Sequence, residues 1–286
     1  MAYIRSLLIL GRVSNLPTVW ANCLTGWILT GNSAFNSQFW LMQLSATFFY
    51  IGGMYWNDAF DVEWDKKHAP RRPIPKGDCP AIHVWILGGV WFFVGFVLSA
   101  LLGIPALICA FFLFTTILWY DWIHKRISWS SIIMAACRFW LIIFAGTIGA
   151  SGGPIPGFVI WTALFLFCYV VGLSYIARHE RIDSPFDLWP VALLAAPAVW
   201  AFIFNAPEPQ VRIFFFVFPF AIWTGFALIF IFNKKVYNPG RTVSYLLAGI
   251  VLADLLVIQP WGGVSLLLYT IFFVLSLILQ KWIPAT

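Results

Sequence analysis

The sequence predicts an all-α fold, a bundle of helices that crosses a membrane several times. Of the 286 residues, 62% are hydrophobic and only 10% are charged, and long apolar stretches recur from one end to the other. Ordinary soluble domains carry about 25% charged residues. A hydrocarbon core about 30 Å thick needs roughly 20 apolar residues per helical span. We therefore expect one integral membrane domain that covers residues 1–286.

Ten apolar segments have a suitable length. They cover residues 13–30, 39–56, 82–103, 104–120, 131–150, 157–177, 188–205, 212–232, 242–258 and 263–283. The first segment lacks a small-residue cleavage site, so it is interpreted as a retained span rather than a signal peptide. The five cysteines show no close pairing, which argues against a disulfide framework or a zinc site.

Basic residues indicate the orientation, because cytoplasmic loops keep an excess of lysine and arginine. With a cytoplasmic N-terminus and ten crossings, every basic residue except Arg138 and Arg212 falls on the cytoplasmic side. The net charge of +6 is then a topology signal, and no nucleic-acid partner is needed to explain it. We expect a protein of the plasma (inner) membrane, with both termini and the charged loops in the cytoplasm.

Acidic residues also gather on this side, most densely in "YWNDAFDVEWDKKHAPRRPIPKGD" at residues 55–78. Topology does not require acid there, so we interpret the segment as a cation site. If the second span continues as a helix, Asn57, Asp61 and Asp65 repeat every four residues on one face, with Asp58 on a neighbouring strip. Carboxylates grouped in this way suit Mg²⁺, which completes its octahedron with water and substrate phosphate oxygens.

The basic residues that follow, Arg71, Arg72 and Lys76, are placed to meet phosphate charge, which arginine can bind with two parallel hydrogen bonds. A plainer alternative is a solvated loop in which acids and bases pair with one another. The NDxxDxxxD spacing at a membrane edge favours the metal interpretation.

These residues resemble the UbiA superfamily of intramembrane prenyltransferases. "NDAFDVEWD" followed by "RRPIPKG" is similar to the first aspartate-rich motif of that family, and "GRVSNLPTVWANCLTG" is similar to its first helix. "YDWIHKR" is similar to its Tyr-x-x-x-Lys-Arg turn after the fourth helix. The resemblance implies nine to ten transmembrane helices around a central cavity, with a cytoplasmic cap that holds a prenyl diphosphate through Mg²⁺.

The resemblance also implies roles for individual residues. Asn57, Asp58, Asp61 and Asp65 would bind Mg²⁺, and Asp58, Asp61, Tyr120 and Tyr175 would be catalytic. The diphosphate would be bound by Arg12, Asn15, Arg71, Arg72, Lys125, Arg126 and Arg138. Tyr120 and Tyr175 would face an allylic cation, which aromatic rings stabilise.

The second aspartate-rich motif departs from the family pattern. The stretch reads "YIARHERIDSPFD", in which Glu180 and Asp183 are the candidate ligands of a second Mg²⁺. Pro185 argues against one continuous helix there. Asp187 is alternatively interpreted as the N-cap of the next helix.

Two charged residues fall inside spans, where ionisable groups are costly and often functional. Arg138 is expected near the diphosphate, and Asp254 is expected to form a hydrogen bond between helices. The four histidines match no motif and are expected at the surface.

We therefore expect a Mg²⁺-dependent enzyme that transfers an isoprenyl chain from a prenyl diphosphate to an aromatic or other lipophilic acceptor. Its partners would be these substrates and membrane lipid, with no obligate protein partner. One alternative is a terpene cyclase on the same scaffold. Another is a cation-coupled transporter with Arg138 and Asp254 on its pathway, although the sequence shows no paired broken helices in two similar halves. Release of pyrophosphate separates transfer from transport.

Overall fold

The computed structural model describes residues 2–32, 35–178, 188–205, 210–257 and 263–284. Throughout these residues the regular structure is helical and no strand is present, which confirms the predicted fold class. The helices are α1 (Ala2–Leu10), α2 (Leu16–Leu29), α3 (Ser37–Phe60), α4 (Val62–His68), α5 (Pro73–Lys76), α6 (Ala81–Leu101), α7 (Ile104–Ile123), α8 (Ser130–Gly149), α9 (Gly157–Arg178), α10 (Trp189–Leu194), α11 (Ala196–Phe204), α12 (Gln210–Phe232), α13 (Pro239–Leu255) and α14 (Gly263–Gln280). A 3₁₀ turn at Val13–Asn15 precedes α2.

Local sequence signals explain several helix starts. The Asn36 side chain accepts a hydrogen bond from the backbone N–H of Phe39 and caps α3. Asn238 caps α13 in the same way, through the N–H of Arg241, and Pro239 follows it in the first turn. These caps accept hydrogen bonds from backbone N–H groups that a helix start otherwise leaves without a partner. Proline is tolerated in the first turn because it has no backbone N–H.

Each of the ten predicted spans overlaps helical structure, but two details differ. The segment 188–205 is divided at Ala195 into α10 and α11, each with a proline in its first turn. The sequence analysis also missed α1, the short helix at the N-terminus. Within the described residues, five helices are long and apolar enough to cross a membrane: α6, α7, α8, α9 and Phe214–Phe232 of α12. The expected number of nine to ten crossings is not confirmed.

The centre of the bundle is α2, whose residues are buried along the whole helix. It packs against α3, α8, α13 and α14. The outer helices α6, α7 and α12 instead expose large apolar side chains such as Phe93, Phe111 and Phe215. Such exposure is expected where lipid tails surround the bundle, because hydrocarbon solvates these side chains as well as a protein core does.

Small residues allow α2 and α8 to approach each other closely. A Cβ atom added at Gly26 would lie 2.6 Å from the carbonyl oxygen of Ile142 and 2.7 Å from Cβ of Ala145. The first neighbour is a backbone atom of α8 and the second is a Cβ atom, whose position the backbone fixes, so neither can rotate away. Helix interfaces in membranes commonly use small residues for this reason.

We predict that Gly26→Ala lowers the free energy of unfolding by about 1 to 3 kcal/mol, the usual cost of overpacking. The matched control is Gly225→Ala in α12, where an added Cβ meets no described atom within 4 Å. That variant should change stability by less than about 1 kcal/mol. Unfolding by SDS titration in mixed micelles measures both, and equal effects would contradict the close contact of α2 with α8.

Candidate active site

The predicted first motif lies where α3 ends. The helix stops at Phe60, Asp61 forms a turn, and α4 begins at Val62. Backbone hydrogen bonds from Asp61 N to Asn57 O and from Asp65 N to Asp61 O continue the spacing of four residues through this turn. Asn57, Asp58, Asp61 and Asp65 are all buried. The predicted alignment on one face is therefore present, although α3 itself is interrupted.

Two arginines bind the first and last of these carboxylates. Arg12 Nη2 lies 3.3 Å from Asp58 Oδ1 and also 3.3 Å from Asn57 Oδ1. Arg72 Nη1 lies 3.2 Å from Asp58 Oδ1 and 2.8 Å from Asp65 Oδ2. Arg72 thus joins two carboxylates that the sequence separates by seven residues. Both guanidinium groups stand beside the motif that was predicted to bind diphosphate and metal.

The backbone of Arg12 is in the left-handed region, with φ 41° and ψ 47°. Few residues other than glycine adopt this conformation, which costs on the order of 1 kcal/mol or more. The Tyr50 hydroxyl donates to the carbonyl oxygen of Arg12 at 3.3 Å and helps to hold it. The structure therefore keeps a strained residue at the position from which a guanidinium reaches Asn57 and Asp58.

Asp61 is held by the turn between α7 and α8. His124 Nε2 lies 3.2 Å and Lys125 Nζ 3.3 Å from Asp61 Oδ2. Burial raises the pKa of Asp61, but the hydrogen bond and charge of His124 and the charge of Lys125 outweigh burial and leave that pKa below its usual value. The Asp61 carboxylate is therefore ionised at neutral pH and available to cations.

Sequence reasoning missed two residues of this cluster. His124 was expected at the surface, but its side chain is largely buried against Asp61 and its ring stacks on Tyr120, with centroids 4.8 Å apart. The spacing gave a signal. In "YDWIHKR" the residue four positions after Tyr120, where the pattern Tyr-x-x-x-Lys-Arg has lysine, is His124. Asp121 is also buried and accepts a hydrogen bond from Asn57 Nδ2 at 3.0 Å. No sequence feature separated it from the other acidic residues.

A third arginine fixes the α7–α8 turn. Arg178, the last residue of α9, donates from Nη1 to the carbonyl oxygens of His124 and Ile127 and to Ser130 Oγ. These contacts tie the turn that carries His124 and Lys125 to the end of α9. From the sequence, Arg178 was expected only as one of the basic residues on the cytoplasmic side.

The residues predicted to bind Mg²⁺ lie close together in the structure, and their role as ligands stays a prediction. Among the described residues, no group of three or more His, Cys, Asp or Glu side chains converges in a way that could hold an ion. Each carboxylate of the motif instead takes a basic partner, because neighbouring negative charges repel and a buried carboxylate needs a counter-charge. The ligand types still fit Mg²⁺, because Asn57, Asp58, Asp61 and Asp65 offer amide and carboxylate oxygens.

An open cavity of about 710 Å³ lies beside the motif. We call it the outer basin. Its basic lining residues are Arg5, Arg12, His68, Arg71, Arg72 and Lys76. Asp58 also lines it, and Arg71 is exposed there. The volume and the concentration of guanidinium groups suit an anion with several oxygens.

A smaller chamber of about 80 Å³ lies within the bundle. We call it the inner chamber. Its apolar wall includes Phe49, Leu113, Ile117, Met134 and Leu141, and its polar wall includes Tyr50, Tyr120, Asp121 and Arg138. Two hydrogen bonds already described, Tyr50 to Arg12 and Asn57 to Asp121, connect this wall to the residues of the motif.

Several predicted site residues lie apart from this cluster. Arg126 is exposed and its guanidinium lies 5.9 Å from the centre of the Trp122 ring. The Tyr175 ring packs on Trp189, with centroids 4.6 Å apart. Asn15 lies closer, because it is buried on the 3₁₀ turn that follows Arg12 and its side chain forms a hydrogen bond with Tyr50. Their predicted roles stay predictions, and the arrangement gives least support to Arg126.

The intramembrane charges form one network. Arg138 Nη1 donates to Asn22 Oδ1 at 2.9 Å, and Asn22 Nδ2 donates to Asp254 Oδ2 at 2.6 Å. The interhelical hydrogen bond expected for Asp254 is therefore confirmed. Arg138 lines the inner chamber rather than the outer basin, so its predicted contact with diphosphate gains no support here. Glu180, Asp183 and Asp187 lie outside the described residues.

The fold and the site define a helical membrane protein in which a basic basin and buried carboxylates lie next to a largely apolar chamber. The model of the UbiA prenyltransferase family matches residues 16–185, which is more than half of the chain. This protein belongs to the UbiA prenyltransferase family. The resemblance seen in the motifs is confirmed.

Curated relatives match part of the chain. The digeranylgeranylglyceryl phosphate synthase of Sulfolobus acidocaldarius is 26% identical over 183 residues, which cover 63% of this chain and 65% of that protein. The protoheme IX farnesyltransferase of Archaeoglobus fulgidus is 27% identical over 148 residues, which cover 50% and 52%. The chain thus spans between about half and two thirds of the length of these relatives.

Solved structures match over nearly the whole chain. A structure from work on a digeranylgeranylglyceryl phosphate synthase superimposes with a TM-score of 0.61 at 18% identity, covering 97% of this chain and all of that one. A UbiA homologue from Archaeoglobus fulgidus bound to GPP and Mg²⁺ superimposes with a TM-score of 0.53 at 14% identity, covering 99% and 98%. At these identities the likeness establishes the shared fold.

The neighbours Lys125 and Arg126 provide a direct test of the site. We predict that Lys125→Gln weakens binding of a prenyl diphosphate at least tenfold, about 1.4 kcal/mol, because it removes a charge next to Asp61. Arg126→Gln should change the affinity less than threefold, because Arg126 packs on Trp122 at the surface. Isothermal titration in detergent measures both. A larger loss in Arg126→Gln would place the diphosphate on the other side of the turn.

Proposed function

We propose that this protein transfers an isoprenyl chain from a prenyl diphosphate to a lipophilic acceptor and releases pyrophosphate. The observation that carries the proposal is the pairing of two compartments: a basic outer basin beside buried carboxylates, and an apolar inner chamber joined to it by hydrogen bonds. One compartment suits a diphosphate, and the apolar wall of the other suits the allylic end of a prenyl chain. Membership in the family supports the same reaction.

The basic residues account for binding of the donor head group. Arg12 and Arg72 already hold Asp58 from the side of the basin, and Arg71 and Lys76 line it further out. Lys125 would contribute from the α7–α8 turn. Diphosphate oxygens can replace carboxylates as partners of these groups, because arginine binds phosphate through two parallel hydrogen bonds.

Mg²⁺ would be held by Asn57, Asp58, Asp61 and Asp65, and Glu180 and Asp183 are proposed for a second ion. When bound, the ion would supply positive charge that stabilises the diphosphate as it leaves. Asp61 is ionised, and Asp58 and Asp65 are paired with arginines. Each carboxylate could therefore exchange its basic partner for Mg²⁺.

The reaction then breaks the bond between C1 of the prenyl chain and the diphosphate oxygen, and the electron pair stays with pyrophosphate. A lone pair or π pair of the acceptor forms the new bond to C1, and the acceptor loses one proton. Tyr120 and Tyr50 present aromatic rings in the inner chamber, where the allylic cation would form. Exclusion of water by the apolar wall would protect that cation from hydrolysis.

The relatives suggest a class of acceptor. Several curated relatives are named for synthesis of digeranylgeranylglyceryl phosphate, and one is named for farnesyl transfer to protoheme. We propose a lipid acceptor with a glyceryl phosphate head as the first compound to test. The single chain would act without a protein partner, in the plasma membrane.

We predict that turnover requires Mg²⁺ and Asp61. Excess EDTA should abolish release of pyrophosphate, and added Mg²⁺ should restore it. Asp61→Asn should lower kcat/KM at least a hundredfold, because it removes the charge that His124 and Lys125 hold in place. The matched control is Glu63→Gln, an exposed carboxylate of the same segment that pairs with Lys66 and should keep near-normal turnover. Full turnover in EDTA would refute the proposed metal requirement.

The same model predicts the orientation in the membrane. Cysteine labels at Lys67 and Lys125 should react from the cytoplasm, and a label at the exposed Ser151 should react from the other side, because α8 carries the chain away from the site. The five native cysteines are buried or half-buried, which keeps background labelling low. Reaction of Lys67 and Ser151 labels from one side would overturn the predicted topology.

A further inference from the structure

The ammonium group of Lys125 has two contacts, one with a carboxylate and one with an aromatic ring. Its Nζ lies 3.3 Å from Asp61 Oδ2 and 5.6 Å from the centre of the Trp64 ring. The face of an indole ring attracts a cation within about 6 Å, because the ring quadrupole is negative there. The Lys125 side chain is 36% exposed, and its four-carbon stem is flexible. The carboxylate and the ring together restrict the ammonium to one region beside the motif.

The turn between α7 and α8 gives Lys125 a neighbour with the same target. His124 Nε2 lies 3.2 Å from Asp61 Oδ2, so both side chains reach a single oxygen. His124 is largely buried and its ring stacks on Tyr120, which fixes its direction. Lys125 is more exposed and takes its second contact from another segment, α4. Its position therefore depends on the side chain that α4 presents.

Trp64 has a well-defined place on α4. The next residue is Asp65, whose buried carboxylate binds Arg72 at 2.8 Å. The Trp64 ring stacks on His68, four residues later, with centroids 4.0 Å apart and 16° between the ring planes. His68 Nδ1 also lies 3.0 Å from the Trp64 carbonyl oxygen. The ion pair and the ring stack thus fix the indole that Lys125 contacts.

A second tryptophan on the same turn provides a comparison. Trp122 is 58% exposed and Trp64 is 46% exposed. The Trp122 ring lies 5.9 Å from the guanidinium of Arg126. Tryptophan commonly lies at the lipid interface, so exposure alone assigns no role to either ring. The two pairs differ because Lys125 also contacts Asp61, whereas Arg126 lies apart from the motif.

We propose that Trp64 is a positioning residue, which holds the Lys125 ammonium beside Asp61 so that it can bind the diphosphate of the donor. This inference rests on the proposed function. An ammonium has three N–H groups, and contacts with a carboxylate and a ring leave one for a phosphate oxygen. A side chain that is ordered before binding loses less entropy when the ligand arrives. Removal of the ring should therefore weaken binding of the diphosphate and leave the residues of the motif in place.

The first test measures binding of inorganic pyrophosphate in the presence of Mg²⁺, by isothermal titration of the full chain in detergent. Trp64→Leu removes the ring and keeps an apolar side chain, so it should weaken binding about three- to fivefold, as expected for one cation–π contact. Trp64→Phe keeps a ring and should stay within about twofold of wild type. Trp122→Leu is the matched control and should bind as the wild type does. Equal affinities of Trp64→Leu and Trp122→Leu would overturn the inference.

A double-mutant cycle identifies the partner of the ring. In Lys125→Gln, the addition of Trp64→Leu should weaken binding less than about 1.5-fold, because no ammonium is left for the ring to hold. A general effect of Trp64 on α4 or on His68 would weaken binding by the same factor in both backgrounds, and that result would refute the inference. Trp64 and Lys125 are both exposed, so these variants should keep the Tm of the wild type. Trp64→Met gives a second variant without a ring for the same cycle.

Binding and transfer separate this inference from the proposed function. If the cycle shows the expected coupling and no isoprenyl transfer takes place, the role of Trp64 is right and the reaction is wrong. If transfer takes place and Trp64→Leu binds pyrophosphate as tightly as the wild type does, the reaction is right and the role of Trp64 is wrong.

Discussion

Burial of three carboxylates at the end of α3 is the constraint on which the architecture of the site depends. Asp58, Asp61 and Asp65 lie within two turns of one another, and their charges repel unless cations come close. A buried carboxylate that loses its counter-charge is destabilised, so each of these cations affects where its segment can lie. Arg12 sets the entry into α2, Arg72 the start of α5, and Lys125 the turn after α7.

This arrangement separates two environments within a few residues of each other. The outer basin is rich in guanidinium groups, whereas the inner chamber is lined mostly by apolar side chains of α2, α3, α7 and α8. A reaction that expels a diphosphate and leaves a carbocation needs both environments, because the anion must be neutralised and the cation must be kept from water. Tyr50 takes part in both, since its hydroxyl binds the Arg12 carbonyl and its ring lies in the chamber wall.

Much of this organisation could be predicted from the sequence, for identifiable reasons. Lipid requires every span to be helical, so apolar length located the long helices, whereas the short polar helices α4 and α5 carry no such signal. The spacing of Asn57, Asp58, Asp61 and Asp65 survives in the structure because backbone hydrogen bonds continue across the break at Asp61. The sequence could not place α1, which is too short for a hydropathy signal, or the break at Ala195.

Contacts between segments far apart in the chain could not be predicted from the sequence, for a different reason. His124 and Asp121 acquire their roles only when α7 packs beside α3, and no local pattern encodes that packing. Asn22 and Asp254 are 232 residues apart, and neither segment contains a pattern that predicts the hydrogen bond from the Asn22 amide to the Asp254 carboxylate. The family match ends at residue 185, so Asp254 on α13 also lies outside the part of the chain that it covers.

Arg178 gives the site a mechanical link to a distant helix. Because one guanidinium nitrogen binds acceptors at His124, Ile127 and Ser130, a small rotation of the end of α9 would pull on the turn and shift the ring and ammonium group that face Asp61. The position of the turn that faces Asp61 therefore depends on a residue outside the proposed donor site. A change in the tilt of α9 would then move the turn that carries His124 and Lys125 together with the helices that pack on α9.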